Sequence, residues 1–272
     1  MAVINNFGGY YQTWFYYNEA RRMGARIHLP CVNRSHYLTS LDGRTIYMGF
    51  VHLLGLEQQF VEQVVAEREA RGPYSSLEDF IARVPFSLEQ LVLLIRGGAF
   101  GFTKKTKAEL LWQAHLHKSQ GRKEQPETLF RLENQQFEFP EFKTDDLRDA
   151  YDEIELYGFP VSLTWFDLLA TSFRGELMAA QMLQFVGRRY RMLGKLVTVK
   201  YVRTCKGETM ALGTFVDATG EAFDTVHFPQ ALKAWPFQGD GVYLLLGKVT
   251  EDFGQPSLEV EKMAKMPYKP RK

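Results

Sequence analysis

The stretch from Tyr47 to Phe100 constrains the fold most, because it alternates helical periods with glycine and proline stops. Leu54-Gly55-Leu56 reads as a turn, and the helix after it runs from Glu57 to Arg71. Phe60, Val61, Val64 and Val65 share one face of that helix, while Glu62, Glu67 and Arg71 lie off it. Gly72-Pro73 ends it. Ser75 with Glu78 forms a capping box for the next helix, which Pro85 closes. Ser87 with Gln90 forms another for the helix Leu88–Arg96, which ends at Gly97-Gly98. The pattern predicts two helical hairpins in tandem. Turns at helix N-termini present backbone N–H groups without partners in the helix, a geometry suited to phosphate. The stretch is therefore a candidate nucleic-acid-binding unit.

From Lys195 the period of apolar residues changes to two. Lys195–Thr204, Thr209–Val216 and Ala222–Phe228 read as strands, with turns at Lys206-Gly207 and Asp217-Ala218-Thr219-Gly220. Pro229 opens a short helix over Gln230–Trp235. Val242–Thr250 and Ser257–Met263 follow as strands around Asp252-Phe253-Gly254. Three strands, a short helix and two strands is the order of an OB-fold, a small barrel that binds single strands and oligosaccharides. The expected fold class is α+β, a helical tandem-hairpin unit followed by a five-stranded OB-fold β-barrel.

The rest of the chain is less regular. Residues 1–47 hold an aromatic-rich helix at Tyr10–Met23, an extended piece at Ile27–Asn33, and short strands on either side of Asp42-Gly43. Thr106 with Glu109 is a third capping box, opening a helix to about Lys118. Residues 119–155 are polar and acidic and read as a linker. Residues 161–194 read as a connecting segment with a helix at Gly175–Phe185.

A length of 272 residues suits two compact units, and a net charge of +1 says that only the distribution of charge can indicate partners. Cys31 and Cys205 are far apart, which argues against a disulfide scaffold and for a reducing compartment. With no apolar run of bilayer length and no signal-peptide pattern at Met1–Ile4, the expectation is a cytoplasmic protein with no membrane partner. Chemistry is hard to assemble from the sequence. His115 and His117 face different sides of a helix, the other histidines are scattered, and no phosphate loop with a lysine occurs. No cofactor and no metal site is expected in this chain, and no enzyme activity on its own.

Two groups of cations stand out. Lys104, Lys105 and Lys107 follow the second hairpin, where they oppose the helix dipole and can reach a duplex backbone. Arg188, Arg189, Arg191, Lys195, Lys200, Arg203 and Lys206 run without an acidic residue between Phe185 and Gly207. A single-strand groove needs such charge with aromatic faces for stacking, and Tyr201, Phe215 and Phe223 are the candidates. Alternation says which of them share a face, not which face is wet.

The segments Glu19-Ala20-Arg21-Arg22-Met23-Gly24, Pro30-Cys31-Val32-Asn33-Arg34-Ser35, Met48-Gly49-Phe50, Leu54-Gly55-Leu56, Ser76-Leu77-Glu78-Asp79-Phe80, Leu94–Phe100, Tyr157-Gly158-Phe159-Pro160 and Lys206–Ala211 occur in an order that resembles the alpha subunit of bacterial DNA polymerase III. The resemblance covers nearly the whole chain. It implies the end of the fingers (1–47), a tandem helix-hairpin-helix unit (48–118), a clamp-binding linker (119–160), a connecting segment (161–194), the OB-fold (195–265) and a basic tail (266–272). It implies a part of a replicative polymerase that grips duplex phosphates at Gly55 and Leu56 and single-stranded template at the barrel. Glu57 and Phe60 stand where the family has a second glycine and a small residue. Gln125, Leu129 and Phe130 lie where the family docks into the sliding clamp, with Pro126 displacing the usual glutamine by one position. The catalytic aspartates and their magnesium would precede this stretch, so the resemblance makes the chain a split gene or a fragment whose partners are DNA, the clamp and the remaining polymerase. The alternative is a free-standing single-strand-binding or scaffold protein.

Overall fold

A computed structural model describes residues 1–120 and 145–271. The chain divides into two compact units: residues 1–8 with 25–162, and residues 9–24 with 163–272. No helix among the described residues is long and apolar enough to cross a membrane.

The first unit starts with a one-turn helix, α1 (Ala2–Asn5), whereas α2 (Thr13–Arg22) belongs to the second. A three-stranded sheet follows: β1 (Arg26–His28) runs parallel to β3 (Thr45–Tyr47), which pairs antiparallel with β2 (Ser40–Asp42). The helical hairpins come next. A 3-10 turn at Phe50–His52 leads through Gly55 into α3 (Gln58–Arg71), then α4 (Leu77–Arg83), α5 (Leu88–Arg96) and α6 (Lys107–Gln120). The shared core is built on Val61, Val64, Phe80, Leu91, Ile95 and Phe100. Phe80 meets both Tyr74 and Phe100 edge-on, at centroid distances of 5.0 and 5.1 Å. Arg83 closes the C-terminal end of α3 by donating to the carbonyls of Glu67 and Gly72 at 3.1 and 2.8 Å.

The caps differ in detail from the sequence reading. Ser76 caps α4 by accepting from the Asp79 amide, and Asp79 takes the N–H and hydroxyl of Ser75. The capping pair is thus one residue later than Ser75 and Glu78. Thr106 and Glu109 form the reciprocal box that opens α6. Ser87 caps α5, but the Gln90 side chain does not return to it and instead crosses to the first hairpin turn.

The acidic stretch holds a helix, α7 (Asp146–Tyr157), where a loose linker was expected. Asp145 caps it through the amides of Leu147 and Arg148, and Gly158 ends it at φ +84. Arg96 of α5 donates to Asp152 and Glu155, each at 2.7 Å, and Glu155 and Asp152 raise its pKa. Buried Glu153 accepts from the amides of Val161 and Ser162 at 2.6 and 2.9 Å, fixing the chain after the helix.

The second unit is a closed barrel with strand order β4-β5-β6-β8-β7. These are β4 (Arg189–Arg203), β5 (Thr209–Val216), β6 (Ala222–His227), β7 (Val242–Asp252) and β8 (Gln255–Lys265). Helix α8 (Pro229–Ala234) lies between β6 and β7 in the chain. The first half of β4 pairs with β7 and the second with β5, with a bulge between Leu196 and Thr198 where the strand changes partner. Gly194 sits at that bend, where a Cβ would come within 2.8 Å of both Phe215 and Phe223. Within the barrel β6 and β8 pair in parallel and the other neighbours antiparallel. This is the strand order of an OB-fold.

Two connecting pieces complete this unit. Residues 175–178 are not helical: Gly175 has φ +111 and Glu176 donates its amide to the Arg191 carbonyl, so the 3-10 helix begins at Ala179. Its Met182 and Leu177 before it enter the barrel core. Helix α2 is held by Asn18, which donates to the Gly220 carbonyl at 2.9 Å, and by the Arg22–Glu221 ion pair. Its Trp14 lies 5.2 Å from the Lys195 ammonium. Residues 1–47 are accordingly not one piece.

Candidate nucleic-acid interface

The first hairpin turn is built around Gly55, which takes φ +81 between Leu53 and the start of α3. Gln90 staples it: its Oε1 accepts from the Glu57 amide at 2.9 Å and its Nε2 donates to the Gly55 carbonyl at 3.1 Å. The Leu56 amide donates to the Leu53 carbonyl at 3.2 Å, and its side chain packs on the helical core. Of the amides of Gly55, Leu56 and Glu57 at this turn, two are thus already committed. The Gly55 amide and those of Gln58 and Gln59 at the start of α3 have no partner among the described residues and remain for an outside acceptor. Exposed Glu57 stands beside them.

The second turn, Gly97-Gly98, is tied to α7. The Tyr157 hydroxyl donates to the Gly97 carbonyl at 2.6 Å, and the Leu54 amide donates to the Leu156 carbonyl at 2.9 Å. One helix therefore fixes both turns. Of the cations beyond the second turn, Lys105 pairs with Glu78 at 3.6 Å. Half-buried Lys107 lies 3.3 Å from Asp149, in ion-pair range but without hydrogen-bond geometry. Only Lys104 of the three has no carboxylate partner among the described residues.

On the barrel the basic run divides. Lys195 is 0% exposed, paired with Asp240 and sandwiched between Trp14 and Trp165. Burial lowers its pKa, with Asp240 acting the other way. It is a core cation, not a surface one. Phe215 and Phe223 stack on each other inside the barrel at 5.8 Å and cannot receive a base. Arg189 pairs with Glu261 at 2.7 Å, and Arg191 with Glu176. Arg188 lies over the ring of Phe185.

Lys200, Arg203 and Lys206 have no carboxylate partner among the described residues, and all three are exposed. They follow one another along the end of β4 and into the turn to β5. Tyr201, on the same side of β4 as Arg203 and opposite Lys200, is 54% exposed and lies 6.5 Å from Phe237 with the rings near perpendicular. The pairing puts Lys200 opposite Leu212, and Leu212 opposite Val226, so these form an outward row across β4, β5 and β6. Leu212 and Phe228 are exposed apolar groups on or beside this face. Sequence reading missed Phe253, at the tip of the β7–β8 turn with φ +51 and 97% exposed. The expected strand turn at Asp252-Phe253-Gly254 was the only signal for it. Gln125, Leu129 and Phe130 lie outside the described residues.

A family model described as a helix-hairpin-helix motif matches residues 24–110, which include both hairpin turns. An error-prone DNA polymerase of Mycobacterium tuberculosis is 36% identical over 108 residues, covering 39% of this chain and 10% of that protein. A DNA polymerase III subunit alpha of Staphylococcus epidermidis is 29% identical over 240 residues, covering 85% of this chain and 22% of that protein. The corresponding subunit of Staphylococcus aureus is 28% identical over 238 residues, or 80% of this chain and 21% of its own length. The chain thus spans 10% to 22% of the length of these relatives. The longer matches run through both units, and the chain is similar over most of its length to the C-terminal region of the DNA polymerase III alpha subunit.

Proposed function

We propose that this chain is a DNA-binding portion of a replicative polymerase. Its hairpin unit holds duplex phosphates and its barrel holds single-stranded template. The observation that carries the reading is the group of exposed cations Lys200, Arg203 and Lys206, without carboxylate partners among the described residues, at the end of β4 and its turn in an OB-like barrel, with exposed Tyr201 on the Arg203 side of the strand. Single strands are held by cations that displace counterions and by rings that stack on bases. Arg189 and Arg191 contribute less, because carboxylates already neutralise them. On the hairpin side the free amides of Gly55, Gln58 and Gln59, with Lys104, are the phosphate contacts. The remaining polymerase, which carries catalysis, and the sliding clamp, reached through Gln125, Leu129 and Phe130, are its protein partners in this reading.

Titrating a single-stranded oligonucleotide at several salt concentrations tests it. Each phosphate contact contributes about 0.7 to the logarithmic salt slope, so removing Lys200, Arg203 and Lys206 together lowers the slope by about 2. Replacing Arg189 and Arg191 changes it by less. A salt slope unaffected by the triple substitution refutes the barrel assignment.

A further inference from the structure

The first unit holds a cavity of about 580 Å³ with walls drawn from β1, β3, the Pro30–Arg34 loop and the Gly98–Phe102 turn. Its rings and charges do not enter the interface described above. His28 and Tyr47, paired in register on β1 and β3, stack at 5.5 Å with an interplanar angle of 23°. The Arg34 guanidinium sits 6.0 Å over the Tyr47 ring. Arg34 is exposed and has no carboxylate partner among the described residues. Among the described residues no Asp or Glu lines the cavity. Ile27, Leu29, Pro30 and Phe102 give it an apolar floor. Gly98 and Gly101 bring bare backbone to its edge.

We infer that this cavity binds a nucleotide, the base lying against the His28–Tyr47 rings and the phosphate on Arg34. A ring stack beside an unpaired guanidinium, with no opposing carboxylate, selects a planar group that carries negative charge. The volume suits a ligand of that size. The ligand is either a free nucleotide or the terminal unit of a strand held by the same protein. The inference does not need the barrel face: it stands if Lys200, Arg203 and Lys206 prove irrelevant to single strands.

Cys31 lines the cavity and reports on it. In a Cys205→Ser background, which removes the exposed second thiol, alkylation of Cys31 is followed with dAMP, deoxyadenosine, inorganic phosphate or a short oligodeoxyadenylate present. Calorimetry with the same probes gives affinities. Either dAMP or the oligonucleotide is expected to slow Cys31 labelling several-fold, and the stronger protector identifies the source. Arg34→Ala should weaken that probe by about tenfold while leaving deoxyadenosine unchanged, as expected for a lost charge-assisted contact. Arg34→Lys should fall between. Arg34 is on the surface, so these variants keep the fold. The inference is overturned if neither nucleotide probe protects Cys31, if inorganic phosphate protects as well as dAMP, or if Arg34→Ala binds like the unaltered protein.

Discussion

Gln90→Ala tests whether the first hairpin turn is held from the neighbouring helix. Gln90 is 5% exposed, and its amide makes the 2.9 Å and 3.1 Å bonds that span Gly55 and Glu57. Each such bond contributes about 1 kcal/mol net, which sets the first estimate at about 2 kcal/mol. The groove beside it, about 390 Å³ and lined by Glu57, Gln59 and Gln90, admits water that can rehydrate the stranded groups. Rehydration keeps the loss below the about 3 kcal/mol per group of a sealed site. Lost contact of the side-chain methylenes adds about 1 kcal/mol. The expected total is about 2–3 kcal/mol, or roughly 30-fold faster amide exchange at the low end. Hydrogen exchange read peptide by peptide over α3 to α5 measures this, with the barrel strands as an internal control. Gln90→Glu keeps an acceptor for Glu57 but turns an oxygen toward the Gly55 carbonyl, so it should be at least as damaging as alanine. Exchange altered by less than about threefold in Gln90→Ala, or a Gln90→Glu protein like the original, refutes the staple.

Three further outcomes follow from the packing. Gly97→Ala should cost roughly 1–3 kcal/mol, because its Cβ would meet Leu53 Cδ1 and come within 2.6 Å of the Tyr157 hydroxyl; denaturation midpoints check this, and Tyr157→Phe should recover part of the loss. Buried His52 and His227 have pKa values lowered to about 4 by burial, against 6.5 when unfolded. The unfolded chain then binds more protons between those values, so stability should fall as pH drops from 6.5 to 4, by at most about 3 kcal/mol per histidine. Urea midpoints that stay flat between pH 6.5 and 4.5 refute this, and His227→Gln should remove the barrel's share. Asp152→Asn should loosen α7 from α5 by about 1–2 kcal/mol, seen as faster exchange in both hairpin turns; an effect confined to α7 would deny that this helix fixes them.

What was legible in the sequence was local chemistry. Gly55, Gly72, Gly98 and Gly158 all take positive φ where the sequence placed turns or a family motif, and the helix bounds between Gly55 and Gly98 agree to within a residue. The succession of strands and helix along the barrel followed from period and turn residues, which are properties of short segments, although β4 starts at Arg189 and not at the expected Lys195. The misreadings share a different cause. Ser75-Ser76 offers two caps in a row, and only the packing of Leu77 and Phe80 chooses the second. Gln90 satisfies the spacing of a capping box, yet its amide is claimed by a turn 33 residues away. Lys195 looks like surface charge until Asp240, Trp14 and Trp165 converge on it. Phe215 and Phe223 alternate correctly, but alternation does not say which face is inside. The acidic composition hid α7, although Asp145 and Gly158 marked its ends.

The cations show why a basic run overstates a binding surface. Ten basic residues were singled out from the sequence: Lys104, Lys105, Lys107, Arg188, Arg189, Arg191, Lys195, Lys200, Arg203 and Lys206. Lys105, Lys107, Arg189, Arg191 and Lys195 have carboxylate partners within the fold, which leaves the other five without one among the described residues. Each cation that neutralises a phosphate releases a counterion from the strand, but a cation already paired must first give up its carboxylate to do so. For exposed Arg189 and Arg191 solvent screens the pair and the exchange costs little, so a strand can still recruit them with little gain. For Lys195 it would mean removing a charge from between two tryptophans, and no strand reaches it. Salt dependence therefore separates the two sets, since only the unpartnered cations should carry the full slope.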